Sequence, residues 1–291
     1  MESAATIDWS WQGQSLRLGV TRMGAGPTLL LLPAPSSIST REEMRPLQTL
    51  LAASYATVSV DWPGFGDLAK PSVDWRPDAY RAFLAHVLAE VAPSPRATVA
   101  VGHGAAYALQ QAAATPGSAG ALCLIAPTWR GPLPTMSRKP PDSFEWFARL
   151  VDAPGIGALV YALNVNPPVI RMMGRGHVYG DPAFLTPARL AEKLKVTRAP
   201  GARHASVRFV TGLLDPFADR AAFLAAAGRV RDPVLLLYGA ATPRKSRAEM
   251  EALAALPNVE THVLPRGKLA VQEEDPDAVA AAVEKFLGGL G

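Results

Sequence analysis

Residues 97–107 form the stretch of this chain whose residue types and spacing are best suited to chemistry. They read Ala-Thr-Val-Ala-Val-Gly-His-Gly-Ala-Ala-Tyr, which predicts a buried strand, a sharp turn of small residues and then a helix. Such a turn presents its central side chain at the strand end, where a serine assisted by a histidine and a carboxylate would be a nucleophile for acyl transfer. The central residue here is Gly104, which has no side chain. The sequence therefore predicts the frame of a nucleophile site without the nucleophile.

The elements that position this turn alternate between strands and helices. The predicted strands are Thr28–Leu32, Thr57–Asp61, Thr98–Val101, Leu122–Ile125, Val234–Tyr238 and Thr261–Leu264. The predicted helices are Arg41–Ser54, Asp78–Val91, Ala105–Ala114, Ser246–Leu256 and Asp277–Leu287. Ile7–Trp11 and Ser15–Thr21 alternate polar and apolar residues and predict a hairpin at the sheet edge. The pattern as a whole predicts an α/β fold with a doubly wound, mostly parallel sheet.

The regular alternation stops between residues 128 and 214. This stretch is rich in proline and glycine and holds short apolar helical patches, such as Phe144–Val151 and Ile156–Leu163. We interpret 128–214 as an inserted helical cap, with 1–127 and 215–291 forming the core. An insertion after a strand lies over the carboxyl ends of the sheet, where folds of this type bind ligands.

Four landmarks carry a family resemblance. They are the apolar strand that ends at Pro33, the loop Asp61-Trp-Pro-Gly-Phe-Gly-Asp67, the turn at 102–106 and the strand end Leu237-Tyr-Gly239. In this order and spacing the chain resembles the α/β-hydrolase superfamily over nearly its whole length. The resemblance implies a Ser–His–carboxylate triad, yet the corresponding positions hold Gly104, Lys268 and Thr242. All three catalytic positions are thus predicted to be vacant.

Three short sequence segments resemble the α/β-hydrolase-like proteins of cyanobacteria and plastids. These segments are Ala126–Met136, His177–Pro182 and Val210–Pro216. This resemblance implies a photosynthetic lineage and no particular substrate.

The remaining site candidates surround the turn. The Ala105 N–H is a candidate for half of an anion-binding site, and the loop Pro33-Ala34-Pro35-Ser36 would supply the other half, although its prolines lack amide hydrogens. His103, Trp129 and Lys268 are further ligand candidates, and Lys268 alternatively pairs with Glu273 or Glu274. Asp215 is either a relocated acid or a turn residue, and His177 and His204 of the cap either reach the pocket or serve structure. No His/Cys/Asp cluster has metal-site spacing, so no metal or other cofactor is expected.

Charge is uneven along the chain. The net charge is +4, but residues 128–208 hold 12 Lys/Arg and 5 Asp/Glu. This favours an anionic small molecule, a membrane surface or an acidic protein as partner of the cap. Nucleic acid is not expected, because the basic residues are dispersed and accompany no recognition motif.

The same sequence bears on compartment. Cys123 is the one cysteine and lies in a predicted buried strand, so no disulfide within the chain is expected. No signal peptide or membrane-spanning run is evident, which predicts a cytoplasmic protein, or a stromal one in a plastid.

Three hypotheses follow. The chain is a non-hydrolytic binding protein for an apolar or anionic small molecule between sheet and cap, or for a protein partner. Alternatively it is a hydrolase or lyase with relocated groups that include His103, or an assembly factor that docks through its basic cap.

Overall fold

An eight-stranded sheet forms the centre of the computed structural model, which describes residues 2–290. The strands are β1 (Ser3–Trp11), β2 (Gln14–Met23), β3 (Thr28–Leu32), β4 (Ala56–Val60), β5 (Ala97–Val101), β6 (Ala121–Ile125), β7 (Val234–Gly239) and β8 (Val259–Leu264). Their order is β1-β2-β4-β3-β5-β6-β7-β8, with β2 antiparallel to β1 and β4 and all other neighbours parallel. The predicted doubly wound, mostly parallel sheet with an edge hairpin is confirmed.

Helices follow or join these strands. They are α1 (Arg45–Leu51), α2 (Pro77–His86), α3 (Gly102–Ala114), α4 (Pro132–Ser137), α5 (Glu145–Asp152), α6 (Ile156–Asn164), α7 (Pro167–Met173), α8 (Pro187–Arg198), α9 (Ala202–Thr211), α10 (Arg220–Arg229), α11 (Arg244–Ala254), α12 (Val271–Glu274) and α13 (Pro276–Gly288). Short 3₁₀ or π turns occupy Arg41–Met44, Val87–Val91, Pro141–Phe144 and Gly174–Val178. The segments α4–α9 lie between β6 and α10 in the chain and are called the cap below.

The central strands are buried on both faces, which explains why they read as continuous apolar runs. Every residue of β5, β6 and β7 is buried, including Cys123 of β6, as its apolar context predicts. Helices on both sides of the sheet complete one hydrophobic core. Removal of this apolar surface from water is the main stabilising contribution to the fold.

The register of the parallel strands brings three chain turns together. Leu32 of β3 pairs with Ala100 of β5, and Val101 of β5 pairs with Ile125 of β6. The carboxyl ends of the three strands therefore meet at one edge of the sheet. The loops that follow begin with Pro33, Gly102 and Ala126, and these loops build the site described next.

Candidate functional site

The turn from β5 into α3 is made at Gly102. The strand ends at Val101, and Gly102 has a φ of +54°, a conformation that glycine adopts without the steric cost other residues incur. A β-carbon added to Gly102 would lie 3.1 Å from Cβ of Ala34 and 3.6 Å from Oγ1 of Thr128. A side chain at position 102 would thus project between the loops that follow β3 and β6.

The predicted nucleophile position is Gly104, two residues later, whereas the positive φ of this turn belongs to Gly102. Gly104 has no positive φ and lies within the first turn of α3. A glycine at position 104 is explained by close packing, because an added β-carbon would lie 2.6 Å from the carbonyl oxygen of Pro33. The helix therefore packs closely on the end of β3.

The start of α3 also determines which backbone N–H groups have no partner within the helix. With Val101 as the residue before the helix, the N–H groups without a partner inside α3 are those of residues up to Gly104. The Ala105 N–H, a sequence candidate for anion binding, is placed to bond the Val101 carbonyl within the helix, and Ala105 is fully buried.

The side chain of His103 connects the turn to two distant segments. Its Nδ1 lies 2.9 Å from Oγ1 of Thr128, and its Nε2 lies 3.1 Å from Oδ1 of Asp215. The imidazole and the carboxylate are only 2% and 4% exposed, and the ring of Phe209 meets the imidazole edge-on with centroids 5.2 Å apart. His103 and Asp215 are separate candidates in the sequence, and they are paired in the structure.

The charge of the Asp215 carboxylate determines which atom donates in each hydrogen bond around His103. An ionised Asp215 only accepts, so it holds the imidazole hydrogen on Nε2, and Nδ1 then accepts from the Thr128 hydroxyl. Asp215 also accepts from the N–H of Gly131 at 2.8 Å. Burial raises the pKa of Asp215 above its ordinary value, while the bonds from His103 and Gly131 oppose the shift. The hydroxyl–imidazole–carboxylate order is that of a nucleophile relay.

The loop after β3 is held by one hydrogen bond from Trp62 and another within the loop. The Pro33 carbonyl accepts from the indole of Trp62 at 2.7 Å. The hydroxyls of Ser36 and Ser39 lie 2.6 Å apart, so Ser36 serves the loop rather than the imidazole. Ala34 is the member of this loop that approaches Gly102.

Trp129, a predicted ligand residue, is part of the core instead. It is 6% exposed, stacks on Phe223 with ring centroids 5.9 Å apart and donates to Glu249 at 3.3 Å. The stacking of Trp129 on the buried ring of Phe223 is a stabilising packing contact, which explains the position of Trp129.

Thr242 and Lys268, the residues at the other two predicted triad positions, do not join the His103 cluster. The Thr242 hydroxyl is buried and has no hydrogen-bond partner within residues 2–290. Lys268 donates to the carbonyl of Arg175 in the cap at 2.6 Å. Its predicted pairing with Glu273 or Glu274 is wrong, because Glu273 binds a different lysine and Glu274 accepts from the N–H groups of residues 180 and 181.

That other lysine is Lys193 of α8, which sequence reasoning missed. Its ammonium is 7% exposed and binds Glu43 of the core and Glu273 at 3.0 Å, and Tyr179 donates to Glu273 at 3.1 Å. Burial raises the pKa of Glu43 to about 7, with Lys193 lowering it and Glu273 raising it. A lysine among alternating charges on a cap helix gives no sequence signal for burial. The cluster ties the cap to the core.

The cap histidines have separate positions. His204 is buried and lies 2.6 Å from Asp152, so it serves the cap's own packing, whereas His177 is exposed. Hydrogen bonds from His204 and Arg208 outweigh burial and lower the pKa of Asp152 to about 2. Among residues 2–290 no group of three or more His, Cys, Asp or Glu side chains is placed to hold a metal ion.

A cavity of about 400 Å³ lies within the cap, between α6, α8 and α9. Its wall combines apolar side chains with one phenol and two guanidinium groups: Ala158, Val165, Leu194, Tyr161, Arg198 and Arg203. Burial raises the pKa of Tyr161 to about 12, so its hydroxyl remains a hydrogen-bond donor at neutral pH. The sequence predicts a ligand space between the sheet and the cap. The lining of this cavity, however, does not include Gly102, Ala34 or His103.

Comparison with known proteins assigns the family. A profile of the alpha/beta hydrolase family matches residues 29–282, so the chain belongs to this family. No curated protein sequence matches the chain.

Solved structures of the same fold are numerous. An esterase from Thermogutta terrifontis has a TM-score of 0.74 and 18% identity, with 99% of each chain covered. A hydrolase from Pseudomonas aeruginosa has a TM-score of 0.72 and 17% identity, covering 97% of this chain and 98% of that one. A haloalkane dehalogenase from Bradyrhizobium elkani has a TM-score of 0.71 and 19% identity, with 99% of each covered. At these identities the likeness establishes the fold.

Proposed function

We propose that this alpha/beta hydrolase family member is a non-hydrolytic protein that binds a small molecule with an apolar body and one anionic group. The observation that carries the proposal is the glycine at the β5–α3 turn. Gly102 has the positive φ of this turn and Gly104 is at the predicted nucleophile position, and neither glycine offers an atom that can attack. Thr242 and Lys268 at the other triad positions supply neither a carboxylate nor an imidazole.

The His103 cluster supports a structural role for what remains. Its imidazole and the Asp215 carboxylate are almost completely buried, and Phe209 covers the ring. A general base must come within hydrogen-bond reach of a substrate proton, directly or through one water. Here both ring nitrogens already bond protein groups. The cluster thus joins the turn, the loop after β6 and the segment after α9.

The cap cavity supports the ligand class. Ala158, Val165 and Leu194 would contact an apolar chain, and Arg198 and Arg203 would face a carboxylate or phosphate. Decanoate combines both features and is the probe we choose. Isothermal titration calorimetry should detect saturable binding by the wild type. Arg198→Gln should weaken that binding about tenfold, since it removes one charge-assisted contact.

The matched control is Lys195→Gln. It removes the same charge from the same helix, yet Lys195 is exposed, pairs with Glu192 and does not line the cavity. Equal loss in both variants, or no saturable binding by the wild type, would contradict the ligand assignment.

A second function is favoured by one specific observation, the 2.9 Å contact between Thr128 Oγ1 and His103 Nδ1. With Asp215 behind the imidazole, Thr128 would be the nucleophile of a relocated hydrolase. Release of p-nitrophenol from p-nitrophenyl butyrate separates the two functions. A hydrolase of this kind would lose turnover in Thr128→Val, whereas the binding protein shows no turnover above heat-inactivated protein in either form.

A further inference from the structure

The exposed apolar side chains of this protein are concentrated in the cap. Six large ones lie there with 55–66% of their surface exposed: Met136, Trp146, Ile156, Leu159, Leu163 and Met172. Soluble surfaces carry isolated apolar residues without consequence, but a cluster of this kind marks an interaction site.

Helix α6 is apolar on both of its sides. Its inner side packs Val160 and Tyr161 against a small cluster of buried residues from α5, α9 and Leu213. Its outer side presents Ile156, Leu159 and Leu163, whose spacing of three and four places them on one stripe. The outer stripe has no partner within the described chain, so the helix is built to contact something else.

The cap that carries this stripe has an excess of basic residues. Residues 128–208 hold 12 Lys/Arg and 5 Asp/Glu. Part of the acidic minority is engaged internally, since Asp152 binds Arg208 at 2.6 Å and Glu192 binds Lys195 at 2.7 Å. A partner that suits the cap would therefore combine apolar groups with anionic ones.

Three exposed basic residues of the cap that do not line the cavity are available to such a partner. Arg138, Lys139 and Arg175 are solvent-exposed and form no ion pair with any residue between 2 and 290. Their side chains can approach phosphate groups without first breaking an internal pair.

The shape of the patch distinguishes a lipid surface from a membrane span. Within residues 2–290 no single helix has the length and apolarity to cross a bilayer. Pro141–Asp152 and Ile156–Asn164 reach that apolarity only as a pair, and the pair bends by 114°. Two short helices bent in this way can lie in the headgroup region with their apolar side turned inward, as interfacial helices with Trp, Leu and basic residues do.

We propose that the cap docks on an anionic lipid bilayer, with Ile156, Leu159 and Leu163 entering the acyl boundary and the exposed basic residues contacting lipid phosphates. The attraction is a sum of apolar burial and electrostatics, so it requires both anionic lipid and low to moderate salt. This docking is independent of what the cap cavity binds.

Vesicle co-sedimentation tests the proposal. The full chain is mixed with phosphatidylcholine vesicles that contain either no or 40% phosphatidylglycerol, at 50 mM and 500 mM NaCl. We expect the wild type to sediment with the anionic vesicles at 50 mM salt, and at least tenfold less with neutral vesicles or at 500 mM. The double variant Leu159→Ser/Leu163→Ser should lose at least tenfold of the binding. Both residues are more than 60% exposed, so the fold should persist, as circular dichroism can verify.

The matched control is Val263→Ser, which alters an apolar residue that is 47% exposed on β8, outside the cap. It should sediment like the wild type. The proposal is overturned if the wild type stays in the supernatant with anionic vesicles, or if the double variant binds as well as the wild type. It is also overturned if light scattering finds a dimer that the double variant loses while vesicle binding is absent, because the stripe would then contact a second copy of the chain.

Discussion

The Asp215 carboxylate lies 3.1 Å from the His103 imidazole, although 112 residues separate them in the chain. The contact links the first turn of α3 to the segment that follows the cap. Because both groups are buried, the pair fixes where the chain returns from the cap to the core. A nucleophile relay and a structural connection use the same bond, so the two roles must be separated by experiment.

Asp215→Ala should destabilise the protein by about 2–4 kcal/mol, because it leaves His103 Nε2 and the Gly131 N–H buried without partners. Urea unfolding followed by circular dichroism measures the change. Asp142→Ala, at an exposed cap position, should alter the free energy of unfolding by less than about 0.5 kcal/mol. A similar small effect at Asp215 would show that the pair contributes little.

The register of the turn can be tested by two glycine substitutions. Gly104→Ala should cost about 3 kcal/mol or more, because the new β-carbon would lie 2.6 Å from a backbone carbonyl that cannot move without shifting β3. Gly102→Ala should cost about 1–2 kcal/mol, from the positive φ and a 3.1 Å contact with a methyl group. Thermal and urea unfolding should rank Gly104→Ala as the weaker protein. The opposite rank would show that position 104 does not pack against the Pro33 carbonyl as closely as the structure has it.

The sequence could predict the sheet because its central strands are buried on both faces and read as apolar runs. It could also predict that a sharp turn follows β5. It could not select between Gly102 and Gly104, since both are glycines in a small-residue frame. The choice depends on where β5 ends, and its last residue is Val101, which pairs with Ile125 of β6.

Long-range side-chain contacts could not be predicted from the sequence either, because they depend on how distant segments pack. Thr128 and Asp215 come next to His103 only after the cap is placed, and no spacing rule encodes that approach. The burial of Lys193 likewise depends on two carboxylates from distant core segments.

Glu43→Gln should remove a pH dependence of stability. The folded pKa of Glu43, about 7, exceeds its ordinary value of 4.5, so between these values the folded state keeps a proton that the unfolded state releases. The free energy of unfolding therefore falls as pH rises from about 4.5 to 7, by at most about 3 kcal/mol, and this contribution is absent above that range. Urea unfolding at pH 5, 6, 7 and 8 should show a shallower slope in Glu43→Gln than in the wild type. Parallel slopes would mean that Glu43 does not titrate in this window.

Lys193→Met should destabilise the protein by about 3–5 kcal/mol at pH 8, because it leaves Glu43 and Glu273 buried without their cation. Lys195→Met on the same helix removes an exposed pair with Glu192 and should cost less than about 1 kcal/mol. Comparing the two in urea isolates burial from charge. Equal costs would contradict the cap–core tie.

Covalent labelling shows whether the site around Gly102 contains a working nucleophile. The purified protein is incubated with a fluorophosphonate probe and analysed by intact mass spectrometry, beside Thr128→Val and an active serine esterase as positive control. We predict an unmodified mass for both forms of this protein while the esterase gains one probe. A single probe on the wild type that is lost in Thr128→Val would contradict the account and identify Thr128 as the nucleophile of a hydrolase.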